Sequence, residues 1–198
     1  MVGKIIVPKC LKSIIFSIEN LGFRQNQSKS FVNETNDFIQ FIDFQLKSDK
    51  SSICLNIGAQ PKFLNNEANT SADCFLRQRM STNGYGDQWW FDTEGDASNI
   101  AKSIELACNT FFKVFSTLKG SLDEFSVTDF QGDGEFSGEY GFITDLNLIY
   151  LCSKTNIDMS NLNKALELAR FGLSESGMAV GPKKRFKMLI KDLNNLLS

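Results

Sequence analysis

Apolar residues recur along this chain with two different periods, and each change of period marks a change of element. Leu11, Ile14, Ile18 and Leu21 follow Pro8 at the spacing of one helix face. Proline is favoured at the first helical position, so the pattern predicts a helix from about Pro8 to Leu21. Gly22 then supplies a left-handed cap, with Phe23 folding back as its hydrophobic contact. From here the period shortens to two. SKSFVNE, FIQFIDFQL (Phe38 to Leu46) and SICLNIG (Ser52 to Gly58) read as strands bounded by turn residues. The last two form a hairpin across KSDKS. A turn centred on Lys50 and Ser51 sets Gln45 opposite Asn56 and Phe44 opposite Ile57. Phe44, Leu46, Leu55 and Ile57 then line one face, and Asp43, Gln45, Cys54 and Asn56 line the other.

ADCFLRQRM and DQWWFDT predict a second hairpin, joined by the glycine-rich STNGYG. Adjacent strand residues point to opposite faces, so Trp89 and Trp90 cannot enter the same core. Alternation groups Trp89 with Phe91 as an apolar, core-facing pair. It groups Trp90 with Gln88 and Asp92 on a polar face, where Arg77 and Arg79 can flank the indole.

After this the period lengthens again. Asp96 is a good N-cap for a helix running to about Leu118, with the stripe Ile100, Ile104, Ala107, Cys108, Phe111 and Phe115. Gly120 ends it, and SLDEFSVTDFQGDGEFSGEYG follows as a loop-rich connector. Three further helices are expected: Tyr140 to Ser153, Asn161 to Leu173 after Ser160 as N-cap, and Pro182 to the end. The last carries the stripe Phe186, Leu189, Ile190, Leu193 and Leu197. The order helix, strands, helices predicts an α+β fold. An antiparallel sheet is packed by the N-terminal and central helices, and the C-terminal third is all helical. The expected division is an α+β domain over residues 1–120 and a helical extension over residues 121–198, packed on it.

Composition narrows the function. The chain has 198 residues, 18 of them phenylalanine, which predicts a bulky aromatic core. Histidine is absent, which excludes a Ser-His-Asp triad, a Cys-His pair and histidine-ligated zinc. Cys10, Cys54, Cys74, Cys108 and Cys152 are dispersed and odd in number, so they read as buried thiols of a cytoplasmic protein rather than a disulfide framework. There is no apolar run of 18 residues, and no membrane partner is expected.

The net charge of −2 hides an uneven distribution. Asp92 to Asp145 holds eleven acids against three lysines, a net −8; Gly181 to the end holds five basic residues against one aspartate, a net +4. An acidic belt makes nucleic acid an unfavoured partner.

DFQGDGEFSGEY resembles a calcium loop at Asp129, Asp133 and Gly134. Gln131 and Tyr140 stand where ligands are needed, so an acidic solvated loop is the reading adopted. STLK (Ser116 to Lys119) has a Ser-x-x-Lys spacing without supporting motifs. No phosphate loop is present. No catalytic residue, metal ligand or cofactor is assigned. Asp43, Gln45, Asn56, Arg77, Arg79 and Trp90 are instead expected to converge on one sheet face. With Asp92, Asp123, Glu124 and Asp133 as acidic neighbours, they form a candidate binding surface.

The order of features resembles the bacterial family known as domain of unknown function 4304. The residues that carry the resemblance are LGF (Leu21 to Phe23), Ser30 with Phe31, FIDFQLKS followed by CLNIG, CFLRQRM, and the paired Trp89 and Trp90. They cover roughly residues 8 to 118. The resemblance implies a fold and a context, since members of that family resemble immunity proteins encoded beside bacterial toxins; it implies no reaction. The resulting expectation is a protein-binding protein, an immunity or inhibitor protein whose acidic belt docks a basic toxin domain. The alternatives are a nucleic-acid- or nucleotide-handling module using Arg77, Arg79 and the basic C-terminal helix, and a helical-repeat adaptor built on NLNKALELARFGL.

Overall fold

The computed structural model describes residues 9–64, 68–91, 93–131 and 144–198, with only the backbone of residues 9–11. The chain forms two compact units, residues 1–116 and 117–198.

In the first unit the two-residue period of Phe38 to Pro61 builds the middle of an antiparallel sheet. Strands β1 (Arg24–Gln27), β2 (Ser30–Glu34), β3 (Phe38–Leu46), β4 (Ser52–Pro61), β5 (Leu76–Ser81) and β6 (Gly84–Tyr85) lie side by side in chain order. A short strand β7 (Trp90–Phe91) pairs with β4 beyond the end of β5. All pairings among the described residues are antiparallel. One face of this sheet is apolar: Phe31, Phe38, Ile42, Phe44, Ile53, Leu55, Ile57, Leu76 and Met80 are all buried. The fold is thus α+β, as the periods predict.

Two helices close the apolar face. Helix α1 (Lys9–Asn20) buries Ile14 and Ile18 and packs against α2 (Glu94–Asn109), which itself lies along β5, β6 and β7. Gly22 takes a φ of 92° and Phe23 is buried, so the predicted cap forms as described. Leu21 is 38% exposed, outside the buried stripe; Pro8 lies outside the described residues.

Helix α2 starts earlier than its pattern suggests. Thr93 is the N-cap, its Oγ1 accepting from the Asp96 backbone N–H at 3.1 Å, while Asp96 Oδ2 accepts from Thr93 Oγ1 at 2.9 Å and from the Phe91 N–H at 3.1 Å. It also stops earlier. At Thr110 the helix breaks, with φ −115° and ψ −87°, and a single turn α3 (Phe111–Val114) follows. The buried Gln40 amide spans this end. Its Nε2 donates to the carbonyls of Phe112 and Phe115, both at 2.9 Å, and its Oε1 accepts from Asn33 at 3.0 Å. Carbonyls orphaned where a helix ends are thereby satisfied inside the core. Phe23, Phe111, Phe112 and Phe115 stack in tilted and edge-on pairs with centroids 5.0–5.4 Å apart.

The hairpin register differs from expectation by two residues. Asp43 opposes Asn56, Phe44 opposes Leu55 and Gln45 opposes Cys54. The turn is centred one residue earlier, because Asp49 Oδ1 accepts from the Ser51 N–H at 2.9 Å and Lys50 adopts a φ of 60°. A two-residue slip preserves the side each residue faces, so the predicted division into faces stands. The second hairpin is different in kind. β5 turns back through β6 alone, and the tryptophan strand leaves to join β4, setting Trp90 opposite Ile53 and Phe91 opposite Ser52. That pairing inverts the expected facing. Trp90 is buried on the apolar side at 1% exposure, whereas Phe91 is 60% and Trp89 37% exposed.

The second unit contains helices α4 (Asp145–Asp158), α5 (Leu162–Glu175) and α6 (Val180–Leu197) among its described residues. Each is displaced by a few residues from its predicted span. Ser160 has a φ of 62° and so cannot cap α5, which Asn161 precedes. α5 packs on both α4 and α6. At Gly172 the Phe186 ring occupies the space a Cβ would need, and Ser153 Oγ donates to the Ala165 carbonyl at 2.6 Å. No described helix is long and apolar enough to cross a membrane.

Candidate recognition surface

The second face of the first unit's sheet is polar, and the strand register assembles it. Asp43, Asn56 and Arg79 form one row across β3, β4 and β5; Gly58 and Arg77 form the next row on β4 and β5. Arg79 is held from three sides. Its Nε donates to Asn56 Oδ1 at 3.2 Å, one terminal nitrogen to Gln45 Oε1 at 3.3 Å, and the other to Asp87 Oδ1 at 2.8 Å. The hydrogen bond to Asp87 raises the Arg79 pKa above its ordinary value. Asn56 Nδ2 closes the ring by donating to Gln45 at 3.4 Å.

A loop covers the other half of this face. The turn Ser71–Asp73 lies so close to β4 that a Cβ on Gly58 would stand 2.8 Å from both the Ser71 Cα and the Cys74 Sγ. The Asp43 carboxylate accepts from the Ser71 N–H, and Arg77 donates to the Ala72 carbonyl at 2.7 Å. Asp43 and Arg77 therefore hold this loop. Beneath it Val32, Phe41 and Cys74 form a small apolar cluster. Asp73 in turn accepts from the backbone of Asn69 and Thr70, which lowers its pKa below the ordinary 3.8.

Of the residues expected to converge, Asp43, Gln45, Asn56, Arg77 and Arg79 do so. Trp90 does not; it is a core residue on the opposite side, which corrects its expected wet facing. Asp123 and Glu124 belong to the second unit. The Asp123 carboxylate accepts from the Gly120 N–H at 2.7 Å, and Lys164 donates to the carbonyls of Asp123 and Glu124 at 2.5 and 3.2 Å. Asp92 and Asp133 lie outside the described residues, as does most of the calcium-like loop.

Three residues that sequence reasoning left out complete the open part of the surface. Asp87 anchors Arg79, and Trp89 and Phe91 are exposed. Phe91 faces the same side as Asn56 and Arg79. It sits opposite Ser52, four residues along β4 from Asn56, or roughly 13 Å at strand spacing. The signal was present in the three-residue run Trp89-Trp90-Phe91: once the middle ring is core, both neighbours must face outward.

Burial raises the pKa of every described thiol, pushing Cys108 up to about 11, which disfavours a thiolate nucleophile. Among the described residues no group of three acidic or thiol side chains is placed to hold a metal ion. Phe91, 60% exposed, shares a sheet side with an arginine held by three partners, and aromatic and arginine side chains are the residue types that dominate protein interfaces.

No curated protein and no solved structure matches the chain significantly. A family model matches residues 17–116, a segment that ends where the first compact unit ends, and the chain accordingly belongs to the family described as Domain of unknown function (DUF4304).

Proposed function

We propose that this is a protein-binding protein whose first unit recognises its partner through the open half of the polar sheet face. Trp89 and Phe91 are the anchors, and the Gln45–Asn56–Arg79–Asp87 ring is the rigid floor beside them. The observation that carries this reading is the 60% exposure of Phe91 on the same sheet side as a threefold-held arginine. An arginine fixed in advance loses little freedom on binding, and large exposed rings supply most of the area-dependent energy. The nucleotide-handling alternative draws less support. Each nitrogen of Arg79 is already directed to a partner in this unit, Asn56, Gln45 or Asp87, so no free fork faces a phosphate.

In the immunity setting, the partner is a basic toxin domain encoded by the neighbouring gene, met in the cytoplasm. Acidic residues such as Asp123 and Glu124 then steer the encounter. The test is growth of cells expressing that neighbouring gene product with or without this chain. Wild type should restore growth, and Trp89→Ser with Phe91→Ser should abolish rescue while the protein still melts cooperatively from a folded state. Equal rescue by the double variant would contradict the surface; no rescue by wild type would contradict the immunity role.

A further inference from the structure

Two apolar side chains stand almost fully in solvent where the chain enters α6: Met178, 98% exposed, in the connection from α5, and Val180, 80% exposed, at the first position of the helix. Behind them α6 shows solvent a face with no acid on it. At 100° per residue, Lys183, Lys184, Lys187 and Lys191 fall within an arc of about 100°, with Val180 in the middle and Met188, 58% exposed, about 40° beyond its edge. Phe186, Leu189 and Leu193 occupy the opposite, buried side. None of the four lysines forms an ion pair among the described residues. The helix starts without a side-chain cap and with no acid in its first turn, so the lysines near its positive end stand uncompensated.

We propose that this tip and lysine row form a reversible docking surface for an anionic lipid bilayer. Met178 and Val180 enter the boundary between headgroups and acyl chains, and the lysines meet the headgroup charge. Attachment of this kind needs no spanning helix. Charge complementarity selects an acidic partner, and the residue types select lipid. Nucleic acid and carboxylate recognition favour arginine forks and fixed donors. The one arginine of α6, Arg185, is turned away, lying 5.1 Å from the Tyr150 ring centroid and donating to Asn147 at 2.7 Å. Lysine ammoniums on flexible stems suit a diffuse charged plane, and exposed methionine and valine gain nothing from a phosphodiester backbone.

The experiment is cosedimentation of the full chain with vesicles of phosphatidylcholine alone or with 30 mol% (about the order used to mimic an anionic leaflet) phosphatidylserine. Binding to the serine-lipid vesicles only, weakened by salt, is expected. Each Lys→Gln change at positions 183, 184, 187 and 191 should weaken it about fivefold. Met178→Ser with Val180→Ser should weaken it about tenfold. Unchanged melts will show that these exposed substitutions leave the fold intact. The proposal is overturned by no binding, by equal binding to both vesicles, or by binding insensitive to the Met178 and Val180 changes. Duplex DNA or RNA retained through the same lysines, with vesicles left unbound, overturns it in favour of nucleic acid.

Discussion

The two units use their polar residues in opposite ways. In the first, polar groups are turned onto the fold: Gln40 closes a helix end, Asp43 and the exposed Arg77 hold a loop, and Arg79 is fixed by three partners. In the second, Arg185 and Lys164 serve the fold and Lys183 donates to the Gly177 carbonyl at 3.4 Å, but the lysine row of α6 is exposed and has no ion-pair partner among the described residues. Charge that already has partners gives shape; charge that has none is available to something else. The first unit therefore presents polar side chains fixed in advance, and the second a row of exposed lysines on flexible stems.

The sharpest test of that contrast begins inside the first unit, between adjacent residues. Trp90→Ala removes the largest fully buried side chain among the described residues and should cost about 3–5 kcal/mol, whereas Trp89→Ala, at a ring 37% exposed, should cost clearly less, about 1–2 kcal/mol. Both tryptophans lie in the first unit, so indole fluorescence of each single variant in a urea titration follows that unit alone. Equal costs would erase the division into core and surface.

Next in size are the two close-packed glycines. Gly172→Ala removes the space that Phe186 fills, and Gly58→Ala drives a methyl into Ser71 and Cys74. Each should destabilise its own unit by about 1–3 kcal/mol, despite the small propensity gain of alanine in a helix. Amide exchange resolved by residue checks that the loss stays within one unit. Gln40→Leu should follow, costing about 1–3 kcal/mol by removing the buried hydrogen bonds its amide donates to the Phe112 and Phe115 carbonyls.

The smallest effect is shared by both units. Asp73 and Asp129 each cap a short turn, and each is lowered from 3.8, chiefly by backbone hydrogen bonds from Asn69 and from Ser126 respectively. A carboxylate lowered by folding contributes stability that is fully present above its unfolded value and is lost as pH falls through its folded value. Carboxyl carbon shifts followed from pH 6 to 2 should therefore place both transitions below the ordinary range. An ordinary value at either would remove that cap from the account.

What was legible in the sequence was periodic. The helix stripe around Ile14 and Ile18, the faces of β3 and β4, and the order of elements all follow from spacing, which a two-residue register slip does not disturb. What was not legible depended on long-range pairing. Nothing local tells Trp90 that its neighbour will be Ile53 of β4 rather than a residue of β5, and that one pairing decides which ring is core. The end of α2 was hidden for a related reason: the stripe continues through Phe111 and Phe115, and the break at Thr110 shows only in the backbone. Asp87 and Phe91 joined the candidate surface only once β7 had been placed.

The most direct test of the recognition surface is calorimetric titration of the purified neighbouring-gene product into this protein. Wild type should bind. Phe91→Ala should cost about 2–4 kcal/mol of binding free energy, the loss expected of a desolvated aromatic anchor, with the fluorescence melt unchanged. Binding that is indifferent to Phe91→Ala and Trp89→Ala alike would contradict the assignment of this sheet face as the place where the partner docks.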